Sequence, residues 1–188
     1  MAVGAGNPGM RGLIGPAVVL ALVVASDQIT KLWAVNNLAL RQPVEVIGTL
    51  LQFTLVYNRG GAMGTNFGSV AYYLISSILI LGFVLYYLYT HRHIARLSYP
   101  LALIAGGAIG NIIDRIRLGE VIDFIDVDIF DINLLGFELR RWWTFNIADA
   151  AISLSIVYLV ISLLLHRHEP VAEPPVAPDG SDDRARAM

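Results

Sequence analysis

The chain has 188 residues, of which 56% are apolar and 15% charged, with a net charge of −2 and no cysteine. So apolar a composition is that of an integral membrane protein. The missing cysteine excludes disulfides, thiol nucleophiles and thiolate metal sites, and no basic patch interleaved with aromatics points to nucleic acid. Residues 1–11 are rich in Gly, Ala and Pro and read as a mobile leader. The apolar stretch at about 12–35 follows, and because about 20 helical residues cross a bilayer core, it is predicted to span the membrane. Arg11 ahead of an apolar run resembles a secretory signal, but no small-residue cleavage site ends it, so the segment reads as a retained helix.

Residues 38–67 differ from their surroundings. Val44-Glu45-Val46-Ile47 and Leu51-Gln52-Phe53-Thr54-Leu55-Val56-Tyr57 are β-branched and partly alternating, with Gly48 between them, which predicts a small sheet at the membrane surface. A Gly-rich turn, Asn58-Arg59-Gly60-Gly61-Ala62-Met63-Gly64, leads to the second span at 69–90. The short link 91–97 holds Arg92 and Arg96, which argues for the cytoplasmic side. The third span is placed at 98–116 and the fourth at 142–165. Both termini are then cytoplasmic and the longer connections lie outside. The tail, 166–188, is rich in proline and acidic residues, lacks the apolar content for a core, and reads as disordered. The expected fold is an all-α integral membrane protein: four transmembrane helices in one domain, 12–165, with a small β-sheet and loop region at the outer surface.

Ionisable groups in such helices are costly and mark functional sites by default. Asp149 heads an apolar run, 147–165, that carries no other charge, and Asp123 lies in Val121-Ile122-Asp123-Phe124-Ile125 just beyond the third span. Two carboxylates brought together there imply acid–base chemistry. The spacing of Asn146 and Asp149, and of Asn111 and Asp114, puts each pair on one helical face, turned toward the bundle interior. Helix–helix adhesion is the competing explanation. Asp114 has a sequence neighbour of opposite charge in Arg115, which suggests a structural pair. Gly106, Gly107 and Gly110 would let another backbone come close. Asp27 and Lys31, four apart with the acid first, are either a helical ion pair or a contact to a lipid or substrate head group. Asp126, Asp128 and Asp131 fit a divalent-cation loop poorly. No His-Glu-x-x-His or Gly-x-Ser-x-Gly is present, so no metal, cofactor or activated serine is expected.

Several motifs in this order resemble the lipoprotein signal peptidases, or signal peptidase II family. They are Asp27-Gln28-Ile29-Thr30-Lys31, Asn58-Arg59-Gly60-Gly61-Ala62, Gly106 through Arg115, Val121-Ile122-Asp123-Phe124 and Phe145-Asn146-Ile147-Ala148-Asp149. The resemblance implies a bacterial inner-membrane aspartic endopeptidase that removes signal peptides from prolipoproteins, cutting before a diacylglyceryl-modified cysteine. It makes Asp123 and Asp149 the catalytic dyad, near the outer face. Asn58, Gly60, Asn111, Asp114, Arg115 and Asn146 would line the site, and Asp27 and Lys31 belong to the first motif. The implied partners are a diacylated prolipoprotein, membrane lipid and globomycin-type inhibitors, with the chain acting as a monomer. Two other readings remain open from the residues alone: a proton or cation path through the carboxylates, and an assembly subunit whose polar residues only join helices.

Overall fold

The computed structural model describes residues 8–60, 68–128, 132–134, 137–139 and 143–166. Residues 1–7, the Gly-rich turn from 61 to 67, part of the acidic loop including Asp131, and the expected tail beyond His166 lie outside the described residues. Four helices, α1 (Pro8–Asn37), α2 (Val70–Thr90), α3 (Ala95–Leu118) and α4 (Ile147–His166), are each long and apolar enough to cross a membrane. Their outward faces are apolar, with Leu79 70% and Leu165 71% exposed, whereas Asp27, Lys31, Asn111, Asp114 and Asn146 are buried inside. Polar groups inside and apolar ones outside is the distribution that lipid favours.

The central helix is α3, which packs against the other three. Its small residues make this possible. A Cβ on Gly106 would stand 2.9 Å from the Leu20 carbonyl oxygen of α1, and one on Gly107 2.6 Å from the Ala148 carbonyl oxygen of α4. A Cβ on Gly110 would collide with the Asp27 carboxylate. The expected close approach through these glycines is therefore real, and it sets α1 and α4 against the polar end of α3. At that end Gly119 adopts φ 74°, a left-handed conformation that glycine reaches without a Cβ penalty, and its N–H closes on the Arg115 carbonyl at 3.0 Å. The helix stops there, and the chain turns straight into a strand.

Strands β1 (Val44–Ile47), β2 (Leu51–Asn58) and β3 (Val121–Val127) form an antiparallel sheet in that order. A separate hairpin joins β4 (Ile132–Leu134) to β5 (Phe137–Leu139). The first two strands follow the sequence expectation. The third, read only as an apolar stretch beyond a helix, is buried along Val121–Phe124 on both faces, so it lacks the alternation that announces a strand. Ala34, Leu55, Ile122 and Phe124 form a buried cluster beneath the sheet, with Ile147 packed against it, and Trp33 meets Phe53 edge-on at 5.3 Å between ring centroids. The sheet thereby sits on the bundle end where α1 and α3 finish and α4 starts.

Three helix starts differ by several residues from the sequence reading: α1 begins at Pro8 rather than about residue 12, so the end of the expected leader is helical. Helix α3 begins at Ala95 rather than Ser98, taking in Arg96. Helix α4 begins at Ile147, because the Phe145 N–H donates to the Ile125 carbonyl at 2.9 Å and the Phe145 carbonyl accepts from the Ile125 N–H at 2.8 Å. Residues held by a strand in this way cannot enter a helix, and the released chain starts turning only at Asn146.

Candidate active site

Four elements meet beneath the sheet. Helix α1 supplies Asp27 and Lys31 from successive turns, α3 supplies Asn111, Asp114 and Arg115, β3 supplies Asp123, and the first turn of α4 supplies Asn146 and Asp149. Asn58 enters at the end of β2, beside β3 in the register that pairs Val56 with Asp123. Asp123 is 2% exposed and Asn146 fully buried.

Asp123 accepts from the Asn146 Nδ2 on Oδ1 at 2.8 Å and from the Asn58 Nδ2 on Oδ2 at 3.1 Å. Asp149 accepts from the Asn111 Nδ2 on Oδ1 at 2.9 Å and from the Asn146 backbone N–H on Oδ2 at 3.2 Å. Each of the four carboxylate oxygens thus holds one N–H donor, leaving capacity for a proton or a water on each. Asn146 touches both acids, one through its side chain and one through its backbone. Burial pushes the Asp123 carboxyl up to about 7, the neighbouring Asp149 charge acts in the same direction, and the Asn58 and Asn146 donors pull it back. A carboxyl set near neutrality beside a second carboxyl can hold one proton between the two.

The remaining charges form a second group directly behind. The Lys31 ammonium lies 2.8 Å from Asp27 Oδ2 and 2.7 Å from Asp114 Oδ2, and donates to Asn111 Oδ1 at 2.9 Å. Asp27 also receives the Ala148 N–H of α4 at 3.0 Å on Oδ1, and Asp114 receives the Ile122 N–H of β3 at 3.3 Å on Oδ2. These acceptors join α1 to α4 and α3 to the sheet. The spacing of Asp27 and Lys31 signalled their ion pair correctly, and with both side chains buried they touch protein groups rather than an exposed head-group surface. The pairing of Asp114 with Arg115 is a correction. Adjacent helical residues point about 100° apart, so Asp114 turns to Lys31 while Arg115 donates from Nη2 to the Gly60 carbonyl at 3.2 Å. Gly60 in turn donates its N–H to Asn58 Oδ1 at 2.9 Å, which steadies the residue that reaches Asp123.

Sequence reasoning gave no role to Gln28. Its Nε2 reaches Asp114 Oδ1 at 3.1 Å, the Gly110 carbonyl at 3.2 Å and Asp27 Oδ2 at 3.2 Å. The available signal was its place three residues before Lys31, on the same helical face. Of the weakly favoured acidic cluster, Asp126 accepts from Thr54 at 3.0 Å and the Asp128 N–H donates to the Leu50 carbonyl at 2.9 Å, both acting within the sheet.

The chain is similar to known proteins over most of its length. The family profile for signal peptidase (SPase) II matches residues 19–165. The lipoprotein signal peptidase of Chlorobium phaeobacteroides is 37% identical over 143 residues, covering 75% of this chain and 84% of that one. The lipoprotein signal peptidase of Syntrophus aciditrophicus is 34% identical over 158 residues, covering 81% and 93% respectively. Among solved structures, a bacterial membrane enzyme determined at 2.3 Å by the in meso method superposes with a TM-score of 0.74 at 29% identity, covering 86% of this chain and 94% of that one. A second, at 1.9 Å, gives 0.69 at 32% identity, with 80% and 94% covered.

Proposed function

Since the chain belongs to the signal peptidase II family, we propose that Asp123 and Asp149 are the catalytic pair with which it removes signal peptides from prolipoproteins. It is a membrane protease of the aspartic type. The observation that carries the assignment of the pair is the arrangement of donors: two buried carboxylates from different elements, each with an N–H on both oxygens, bridged by Asn146.

In the proposed reaction the two aspartates share one proton and hold a water between them. The ionised carboxylate takes a proton from the water as its oxygen attacks the scissile carbonyl, and the protonated carboxyl donates to the carbonyl oxygen. The tetrahedral species then collapses, and the proton passes to the departing amine. The two acids act as one titrating unit, so acid and base are roles of the pair. Asn58, Gly60, Asn111, Asp114, Arg115 and Asn146 line or support this centre. The scissile bond is the one before a diacylglyceryl-modified cysteine, whose acyl chains remain in lipid while the peptide reaches the bundle end beneath the sheet.

Residues 12–165 form the working domain in this reading, as a monomer in the bacterial inner membrane. Residues 91–97 and both termini face the cytoplasm, and the dyad lies near the outer face. Purified protein in detergent, incubated with a diacylated prolipoprotein, should release the signal peptide, and globomycin should block release. A proton path or an assembly subunit would leave the substrate uncut.

A further inference from the structure

The side-chain amide of asparagine can be turned either way, so what fixes it decides whether it donates to a neighbour or accepts from it. In all three asparagines that face the dyad, the amide oxygen is occupied by a group that can only donate. Asn58 Oδ1 takes the Gly60 N–H at 2.9 Å, and Asn146 Oδ1 takes the Asp149 N–H at 2.9 Å. For Asn111 the partners of Oδ1 are the Lys31 ammonium at 2.9 Å and the Asn146 Nδ2 at 3.2 Å. Two of the three oxygens are thus held by backbone N–H groups of nearby residues. Asn111 depends on charged Lys31, brought from another helix.

We infer that Lys31 is a positioning residue for catalysis: its ammonium fixes the Asn111 amide with the oxygen toward α1, so that Nδ2 is kept as a donor to Asp149. This inference rests on the reading of Asp149 as one of the catalytic pair. Lys31 has three protons and three acceptors, Asp27, Asp114 and Asn111. The Asp27 contact lies within α1 and the Asp114 contact ties α1 to α3, while the third carries the orientation of the ammonium forward to the reacting group. Without it, the Asn111 amide can rotate and present its oxygen to Asp149, where an acceptor disfavours the ionised carboxylate. Among the described residues, the ionisable groups around the dyad are Asp27 and Lys31 of α1 and Asp114 and Arg115 of α3, with Tyr73 of α2 acting on Arg115. A useful test therefore changes the Lys31 contact while leaving their summed charge unaltered.

The double variant Asp27→Asn/Lys31→Met does so, because it removes one charge of each sign, and Asp27→Asn alone serves as the control that perturbs the same cluster but keeps the ammonium on Asn111. Both are purified in detergent, and cleavage of a diacylated prolipoprotein is followed from pH 5 to 9. Relative to the parent, whose summed charge it keeps, the double variant should lose about tenfold or more in kcat at neutral pH, with KM within about twofold and the acid limb of the profile displaced to higher pH, the effect of losing a hydrogen bond to a charged acceptor. Superimposable profiles and equal kcat in the double variant and the parent would overturn the inference. A purely structural Lys31 would lower thermal stability and active fraction without moving the limb. If the double variant does not accumulate in the membrane, Lys31→Arg takes its place: a guanidinium is also donor-only, so the profile should be unmoved, and a displaced limb overturns the inference. Asp149→Asn measured alongside separates the two levels. Full cleavage by Asp149→Asn would refute the dyad itself, whereas unmoved profiles in an enzyme that Asp149→Asn inactivates would refute only the role of Lys31.

Discussion

Asn146 and Asp149 cap one another across the first turn of α4: the Asp149 N–H donates to the Asn146 side-chain oxygen at 2.9 Å, and the Asn146 N–H donates to an Asp149 carboxylate oxygen at 3.2 Å. This reciprocal pair is a capping box with an aspartate at its third helical position. The carboxylate also sits where the helix dipole is positive. The same local structure that starts the helix therefore fixes one member of the proposed dyad, while the Asn146 side-chain amide nitrogen reaches across to the other.

Capping and catalysis can be separated at Asn146. Asn146→Ser keeps an oxygen for the Asp149 N–H but has no amide for Asp123, whereas Asn146→Ala loses both. The serine variant should be the more stable of the two by about 1 kcal/mol. Both should cleave prolipoprotein at least about tenfold more slowly than the parent. Melting in detergent and initial rates provide the comparison, and a fully active Asn146→Ser would show that the bridge to Asp123 is dispensable.

The dyad makes the strongest demand. Asp123→Asn and Asp149→Asn retain side-chain size but cannot exchange a proton at the amide, so each should abolish detectable cleavage while the protein still inserts in the membrane. Retained binding of globomycin would show that the site remains assembled. Near-normal turnover by purified Asp123→Asn would shift the pair to Asp114 and Asp149.

The four spans, the first two strands and every acid of the site were legible in the sequence, because a charge in an apolar run is visible without knowing its surroundings. What escaped was long-range pairing. Asp114 stands next to Arg115 in the chain, yet the helix turns them apart and its ion pair is with Lys31 on another helix. Strand β3 escaped because both of its faces are covered, one by the helix ends and the other within the fold, so no period of two marks it. The delayed start of α4 depends on the Phe145 bridge to Ile125, a contact between segments that hydropathy cannot register.

That corrected pairing changes the order expected among charge variants. Asp114→Asn leaves Lys31 its partner Asp27 and should cost about 1–3 kcal/mol, chiefly through weakened bonds from Ile122 and Gln28. Lys31→Met leaves two buried carboxylates without their cation and should cost more, about 3–5 kcal/mol. Thermal melts of the two proteins in one detergent check the order. If Asp114→Asn proves the more damaging, the ammonium is not the centre of the cluster.

Topology can be tested because the chain has no cysteine of its own. The turn joining α2 to α3 and the sheet lie at opposite ends of the bundle, and Arg92 and Arg96 at the former favour the cytoplasm. In intact cells an impermeant maleimide should label Glu45→Cys, on exposed β1, and leave Ala95→Cys unmodified until the membrane is permeabilised. The opposite pattern would place the dyad on the cytoplasmic side.

Asp123 should also leave a signature in stability against pH. Its carboxyl is raised from 3.8 to about 7 in the folded protein, so the folded state holds this proton more tightly than the unfolded chain does. The group's favourable contribution is complete below about pH 4 and is lost as the pH climbs through about 7, because burying the ionised form costs free energy that water would otherwise supply. At 1.36 kcal/mol per pH unit the loss is at most about 4 kcal/mol. Asp123→Asn removes the titration, although the substitution also alters hydrogen bonds by an amount that does not vary with pH. The expected result is therefore a difference in slope: between pH 4.5 and 8 the parent should lose several degrees of Tm relative to Asp123→Asn, with the curves running parallel above about pH 8. Parallel curves across the whole range would mean that Asp123 titrates alike in the folded and unfolded protein, and that no proton is held at the dyad near neutral pH by this carboxyl.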